Sequence, residues 1–386
     1  MKIKQISKIV PVLLCGWCLA APAQDSIIQI NKPALKVIPI SITGVGGEVE
    51  SVLKCDLSVM GMEVTAPEKA DYLISGVENG RLEGRLKQAG GNADIFARAY
   101  SGGGLRSQAH SFADDIARTI LDTAPIFHSK IAFCREADGS TEICVADFDG
   151  NNQVEMTRDG SLVATPAWAP GGRTLFYTSW RNGATQILEH DVTSGARQVF
   201  AGYGGANFNP VVSPDGGRVA MILSKGGTPS LYVCDRSGGG LRQLSFGRDE
   251  ASSPTWSPDG REICYVVRSG RATLRRIRSQ GGEPGEVRTG GVFGNVTSPD
   301  WSPDGKKIIF TSGSGNFTLC VVPAEGGNAE SLVDGEDPCW APNSRTVIFT
   351  RRANHNKVLS LLDVPTKHVK DITQISGSCS QPAWAR

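Results

Sequence analysis

Five histidines, His110, His128, His190, His355 and His368, and ten cysteines are the side chains of this 386-residue chain best suited to hold a metal or act as a nucleophile. No two histidines stand four residues apart, and outside the leader described below no Cys-x-x-Cys accompanies them, so no zinc site is encoded by spacing. Asp147-Phe-Asp-Gly-Asn-Asn152 opens like a calcium loop but lacks the third acidic position and the distal glutamate, and reads as a hairpin turn. A Gly-x-Ser-x-Gly elbow and a phosphate loop are both missing. The expectation is a protein without catalytic residues, metal or cofactor. Recognition chemistry is concentrated elsewhere, in short polar stretches at 205–209, 248–253, 294–298, 335–337 and 378–381, which contain Asn207, Asn209, Glu250, Asn295, Asp337 and Gln381.

Each of these stretches leads into a copy of one phrase, Pro-x-Trp-(Ser/Ala)-Pro-(Asp/Gly)-Gly and its variants. The copies begin at Pro166, Pro210, Pro254, Pro299, Pro338 and Pro382, at intervals of 44, 44, 45, 39 and 44 residues. That period is too long for a leucine-rich or helical-hairpin unit and fits the four-stranded blade of a β-propeller. Apolar runs rich in β-branched and aromatic residues follow each copy, as in 174–178, 219–223, 263–267, 308–311 and 347–350, and predict buried second strands. Ser-Pro-Asp-Gly supplies a fixed φ, a side-chain bond to backbone and a permissive glycine, hence a tight turn between first and second strands. The tryptophan of the phrase is expected to pack between neighbouring blades.

The last copy, Gln381-Pro-Ala-Trp-Ala-Arg386, provides one strand, while Ser129 to Cys134 and Thr141 to Asp147 read as a second and a third. Together they complete a sixth blade shared between the two ends of the repeat region, which leaves no open seam. First strands line the channel of such a ring, so the polar stretches surround one mouth, and loops of this kind carry recognition on propellers.

Upstream, Lys2, Lys4 and Lys8, the apolar stretch from Ile9 to Ala20 and Ala21-Pro22-Ala23 form a secretory leader cut before Gln24. The stretch is shorter than the ~20 apolar residues a membrane span requires. Leu14 and Trp17 before the two leader cysteines argue against acylation. Cleavage turns the formal charge of +1 into about −2, too small to steer nucleic acid. Eight cysteines remain, and in an oxidising compartment the Cys134/Cys144 hairpin is the first candidate for a disulfide. Residues 33–127 differ in texture. Strands are expected over 35–41 and 71–77, a helix over 48–60, a hairpin from 81–88 and 94–100, and an amphipathic helix over 107–121 with Ala109, Phe112, Ala113, Ile116, Ala117 and Ile120 on one face.

The chain therefore divides into a leader (1–23), an extended N-terminal segment (24–32), a small α/β domain (33–127) and a propeller (128–386). The fold class is mainly β, a six-bladed β-propeller preceded by a small α/β domain. This order of parts, with Val145 to Gln153, Ser224 to Val233 and Pro254 to Gly260 in the blades, resembles the TolB family, the periplasmic component of the Tol-Pal system. The chain departs from the family pattern at Val212, at Asn343-Ser344 and in a short stretch from Val64 to Asp71.

The resemblance implies a monomeric, non-enzymatic periplasmic adaptor that neither binds nucleic acid nor inserts into the membrane. The peptidoglycan-associated lipoprotein Pal would bind the propeller and the C-terminal domain of TolA the N-terminal segment, in support of outer-membrane integrity and cell division. In that segment Asp25, Ile27, Ile28 and Ile30 form a short β-prone stretch able to add as a strand to a partner's sheet, or to complete the α/β domain's own. At the rim, Asn207, Asn209, Glu250, Asn295, Asp337 and Gln381 are the expected Pal contacts. Prolyl-oligopeptidase-like enzymes also use such propellers, but they carry a hydrolase domain for which there is no room here. The remaining alternative is a propeller that lodges a glycan or small ligand in its channel.

Overall fold

The structure is a computed structural model that describes residues 35–292, 294–313, 316–353 and 356–386. The leader and the segment carrying Asp25, Ile27, Ile28 and Ile30 lie outside the described residues.

The α/β domain is built from strand β1 (Ile38–Thr43), helix α1 (Gly47–Val59), β2 (Met62–Val64), β3 (Tyr72–Glu78), β4 (Leu82–Gln88), β5 (Asp94–Tyr100) and helix α2 (Leu105–Leu121). The strands form one sheet in the order β2-β1-β3-β4-β5. β1 runs parallel to both its neighbours, and β3, β4 and β5 form an antiparallel meander. Alternation decides which face is covered: Ile40, Ile74, Leu82 and Leu86 are buried, while Glu83 and Arg85 between them are exposed. Two helical stripes close over that face, Val49, Val52, Leu53 and Leu57 from α1, and Ala109, Phe112, Ala113, Ile116 and Ala117 from α2. Phe112 lies against Tyr100 (ring centroids 5.4 Å apart) and Phe96 (6.1 Å), directly over Gly84, where a Cβ would come within 2.6 Å of its ring.

Six four-stranded sheets follow. Blades 1 to 5 cover 163–201, 207–243, 250–287, 295–334 and 336–371. In blade 6 the innermost strand is Cys379–Trp384, paired antiparallel with Lys130–Ala137, which continues into Ser140–Asp147 and Val154–Glu155. The Ser-Pro-Asp-Gly phrase makes the expected turn. In blade 2 the Asp215 carboxylate accepts from Ser213 Oγ (2.5 Å) and from Gly217 N (3.0 Å), and Gly216 N donates to Ser213 O at 2.8 Å. The tryptophans fill the spaces between blades: Trp256 packs with Ala220 and Ile222 of blade 2, Trp301 with Cys264 and Val266 of blade 3, and Trp340 with Ile309 of blade 4.

All eight cysteines from Cys55 onward are free thiols. The expected Cys134/Cys144 bridge is not formed. Cys134 pairs across the hairpin with Ile143 and Cys144 with Phe133, so the two side chains project from opposite faces of the sheet.

The two domains share one apolar core. Phe127, Phe148, Trp384, Ile348 and Leu359 belong to the same buried cluster as Leu53, Phe112 and Ile116. The α/β domain docks on the face of the ring where first strands turn into second and third into fourth. Asn343 Nδ2 and Arg345 Nη2 reach Met60, Lys370 Nζ donates to Cys55 O, and Leu35 N donates to Pro365 O at 2.9 Å. The opposite face, where fourth strands lead into the next first strand, holds the predicted polar stretches.

Candidate functional site: the polar mouth of the channel

Every innermost strand begins with the same departure from regular β structure. The residue before the first proline of the phrase is left-handed in all six: Thr165 (φ 52°), Asn209 (51°), Ser253 (48°), Ser298 (49°), Asp337 (54°) and Gln381 (52°). The register between first and second strands slips at this point in each blade, the mark of a bulge that re-aims a side chain. The six side chains are thereby turned into the channel wall, where they form one ring. Left-handed backbone in a non-glycine residue is strained and persists only when its surroundings hold it.

Two kinds of bond hold the ring. Gln381 Oε1 accepts from Thr165 N (2.7 Å), Asn209 Oδ1 from Ser253 N (3.4 Å), and Asp337 Oδ1 from Ser298 Oγ (3.0 Å), joining blade 6 to 1, 2 to 3 and 4 to 5. Threonines of the preceding blade's second strand add bonds between blades 1 and 2, 4 and 5, and 5 and 6. Thr178, Thr311 and Thr350 accept the N–H groups of Asn209, Asp337 and Gln381 at 3.3, 3.1 and 3.2 Å. Burial, followed by the charge of Glu336, pushes the Asp337 carboxyl up to about 6, against a smaller opposing pull from Ser298. The mouth thus carries a titratable group near neutrality.

The rest of the channel lining includes the prolines that follow the ring residues, the small side chains of Ala167, Val211, Thr255, Cys339 and Ala383, and Asp300. The whole channel has a volume of about 540 Å³. Its far end is crossed by Arg386, whose guanidinium pairs with Asp300 and donates to Trp340 O. Asp300 also accepts from Trp340 N (2.7 Å) and Thr255 Oγ1 (3.2 Å), so the carboxylate ties blades 3, 4, 5 and 6 together. Among the described residues no group of three or more His, Cys, Asp or Glu side chains could hold a metal ion.

The six rim residues singled out by sequence fall into three environments. Asn209, Asp337 and Gln381 stand in the ring. Glu250 is exposed at the start of blade 3, directly across the strand pair from Arg268. Asn207 is fully buried, and its carboxamide is spent on Tyr203, Gly205 and Thr185 backbone, so it shapes the rim from beneath. Asn295 accepts from Ala272 N at 3.0 Å and braces the blade 3 to 4 crossing. Thr165, Ser253 and Ser298 complete the ring; the two serines end stretches the sequence reading named without being singled out, and Thr165 lies outside them. Also missed were apolar groups on the same face: Phe246 (76% exposed), Leu162 (48%) and Phe317 (40%), the last under the Arg352 guanidinium. Loop position alone gives no signal for them.

Fold and mouth define the class, a six-bladed β-propeller with an N-terminal α/β domain whose polar opening is built by the repeat itself. The family model described as PD40, TolB beta propeller domain, matches residues 119–386. The chain belongs to the TolB β-propeller family. It is similar to two proteins called "Tol-Pal system protein TolB" from Anaeromyxobacter dehalogenans, at 30% identity over 284 residues (strain 2CP-C) and 29% over 278 (strain 2CP-1). These matches cover 63% and 62% of this chain and span 65% and 64% of the relatives' own length. Among solved structures, TolB from Acinetobacter baumannii superposes with a TM-score of 0.80 at 20% identity, over 92% of this chain and 98% of that one. The putative TolB from Agrobacterium tumefaciens gives 0.52 at 20%, over 64% and 88%. At these identities the likeness to solved structures is one of fold.

Proposed function

We propose that the protein is a non-enzymatic adaptor of the Tol-Pal system, working in the periplasm. Its channel mouth would bind Pal, and the segment 24–32, through Asp25, Ile27, Ile28 and Ile30, would bind the C-terminal domain of TolA, in support of outer-membrane integrity and cell division. The observation that carries the reading is the placement of the α/β domain. It occupies the turn face of the ring and leaves the opposite mouth, with its strained polar ring and exposed Phe246, Leu162 and Phe317, open to a partner. Strain held at one position in all six blades is a feature of sites that must be rigid before they bind. Asn209, Asp337, Gln381 and Glu250 are the polar contacts proposed, with Phe246 as an apolar anchor, while Asn207 and Asn295 position the loops. The protein would act as a monomer.

Calorimetric titration of the mature protein with the periplasmic domain of the same organism's Pal tests this, repeated after deletion of residues 24–32. Micromolar or tighter binding is expected, with an affinity altered by the deletion if the two ends are linked. Unchanged affinity after charge reversal at both Glu250 and Asp337 would remove the rim assignment. The channel volume favours one competing reading, a glycan or small ligand lodged there. A thermal-shift screen that raised the melting temperature with such a ligand, alongside no Pal binding, would select it.

A further inference from the structure

The seam between the domains contains a buried polar cluster that the partner-binding reading does not use. Asp56, on α1, is fully buried. Its Oδ2 lies 2.7 Å from His110 Nδ1 on α2, while its Oδ1 is buried with no partner. The other face of the same imidazole looks at the propeller: His110 Nε2 is 3.9 Å from Asp149 Oδ2, on the turn between the third and fourth strands of blade 6. Asp149 is itself buried and takes the guanidinium of Arg106, one turn before His110 on α2.

We propose that a proton shared by Asp56 and His110 latches the α/β domain to the propeller. The charges packed around the pair decide the sign. Besides Asp56 itself, two carboxylates face it: Asp149 from the propeller and Asp114 from α2, the latter accepting Ile126 N and Phe127 N at 3.0 and 3.3 Å. The cations are Arg106 from α2 and Lys370 from blade 5, which reaches Cys55 O. His128, from the segment joining the domains, places its ring 5.7 Å from that of His110 and is exposed. With the proton present the imidazolium answers Asp56 on one side and Asp149 on the other. Without it, the buried charge of Asp56, its Oδ1 already unpartnered, and that of Asp149 face a neutral imidazole, a costly state that separation of the domains and entry of water relieves.

The Asp56–His110 bond lies within the α/β domain; what closure of the seam adds is the burial of Asp56 and the charge of Asp149 beside His110, and both favour the bound proton. Burial raises the Asp56 carboxyl against the opposing bond from His110. Burial pulls His110 down, but the bond and charge of Asp56 and the charge of Asp149 more than offset it and lift the imidazole above its ordinary value. The closed form therefore holds more protons than the open one, so closure is strongest at mildly acidic pH and weakens as pH rises through neutrality. Leu35 N is held on Pro365 O on the same face of the ring. The inference rests on the seam alone and stands whether or not the mouth binds Pal.

Amide hydrogen exchange of the mature protein at about pH 6 and about pH 8.5, corrected for intrinsic rates, reads the latch directly. Protection of α2 and of the 147–151 turn should fall about tenfold at the higher pH, with the inner strands of blades 2 to 4 unchanged as internal control. In the double variant Asp56→Asn/His110→Gln, which keeps neutral hydrogen-bonding groups but leaves nothing in the pair to titrate, the pH response should vanish. Should that variant fail to fold, nitrogen-detected NMR of the wild-type imidazoles serves instead: His110 is expected to titrate above the ordinary ~6.5 and together with the change in exchange. Protection independent of pH in the wild type, a pH response surviving in the double variant, or an imidazole titrating at or below ~6.5 overturns the proposal.

Discussion

Ser253 and Trp340 show how single residues of one repeat take different loads. Ser253 occupies the left-handed corner of blade 3. Its replacement by valine, whose branched side chain resists that backbone, is expected to lower stability by ~1–3 kcal/mol, whereas glycine should leave it unchanged or raise it. Denaturant unfolding of both variants checks this. The tryptophans separate in the same way. Trp256 Nε1 donates to Val211 O at 3.1 Å, whereas Trp340 Nε1 is buried without a partner. Trp256→Phe should therefore cost about 1 kcal/mol more than Trp340→Phe, because only the first leaves a carbonyl unanswered. Asp337 carries the pH dependence of the mouth. Its carboxyl is raised from 3.8 to about 6 in the fold, so its ionisation costs stability progressively between those two values and by a constant amount above them. Asp337→Asn should gain stability relative to wild type, by ~1–2 kcal/mol, between about pH 5 and about pH 8, as melting temperatures at the two values would show. The tryptophan was legible in the sequence because its phrase repeats. The left-handed ring was not, because the eye follows the constant proline, while the residue before it changes from Thr to Asn, Ser, Asp and Gln.

Elements were legible wherever one periodicity governed them. The apolar second strands and the alternation in β4 appear where the sequence places them, and α2 differs from its expected start by two residues. What the pattern of α2 concealed was its second stripe. Arg106, His110 and Asp114 recur every four residues and read as a solvated face, yet this face meets the propeller, and only the tertiary fold supplies Asp149 opposite it. Packing at this scale is tight enough to test. Gly84→Ala should destabilise the α/β domain by ~1–3 kcal/mol, since the added Cβ would stand 2.6 Å from the Phe112 ring. The loss should appear as faster exchange in β3, β4 and α2 with the blades unaffected.

For the whole molecule, six blades and shared closure followed from counting the phrases, while the face on which the α/β domain docks could not be read from one-dimensional order. Arg386→Ala should weaken the closed ring by ~1–2 kcal/mol by removing the cation that Asp300 answers at the partly open end of the channel, and thermal unfolding would report it. Closure also has a mechanical side. The chain passes from α2 into Lys130–Ala137, the second strand of blade 6, which is paired on one side with Ser140–Asp147 and on the other with Cys379–Trp384. Tension arriving from the α/β domain enters this strand at Lys130 and pulls along its axis. Both ladders are then loaded in shear, with their hydrogen bonds sharing the force instead of failing one after another. The domain seam, held by a few side-chain contacts and one apolar cluster, gives way first, so a pull between the two domains would part them and leave the ring closed.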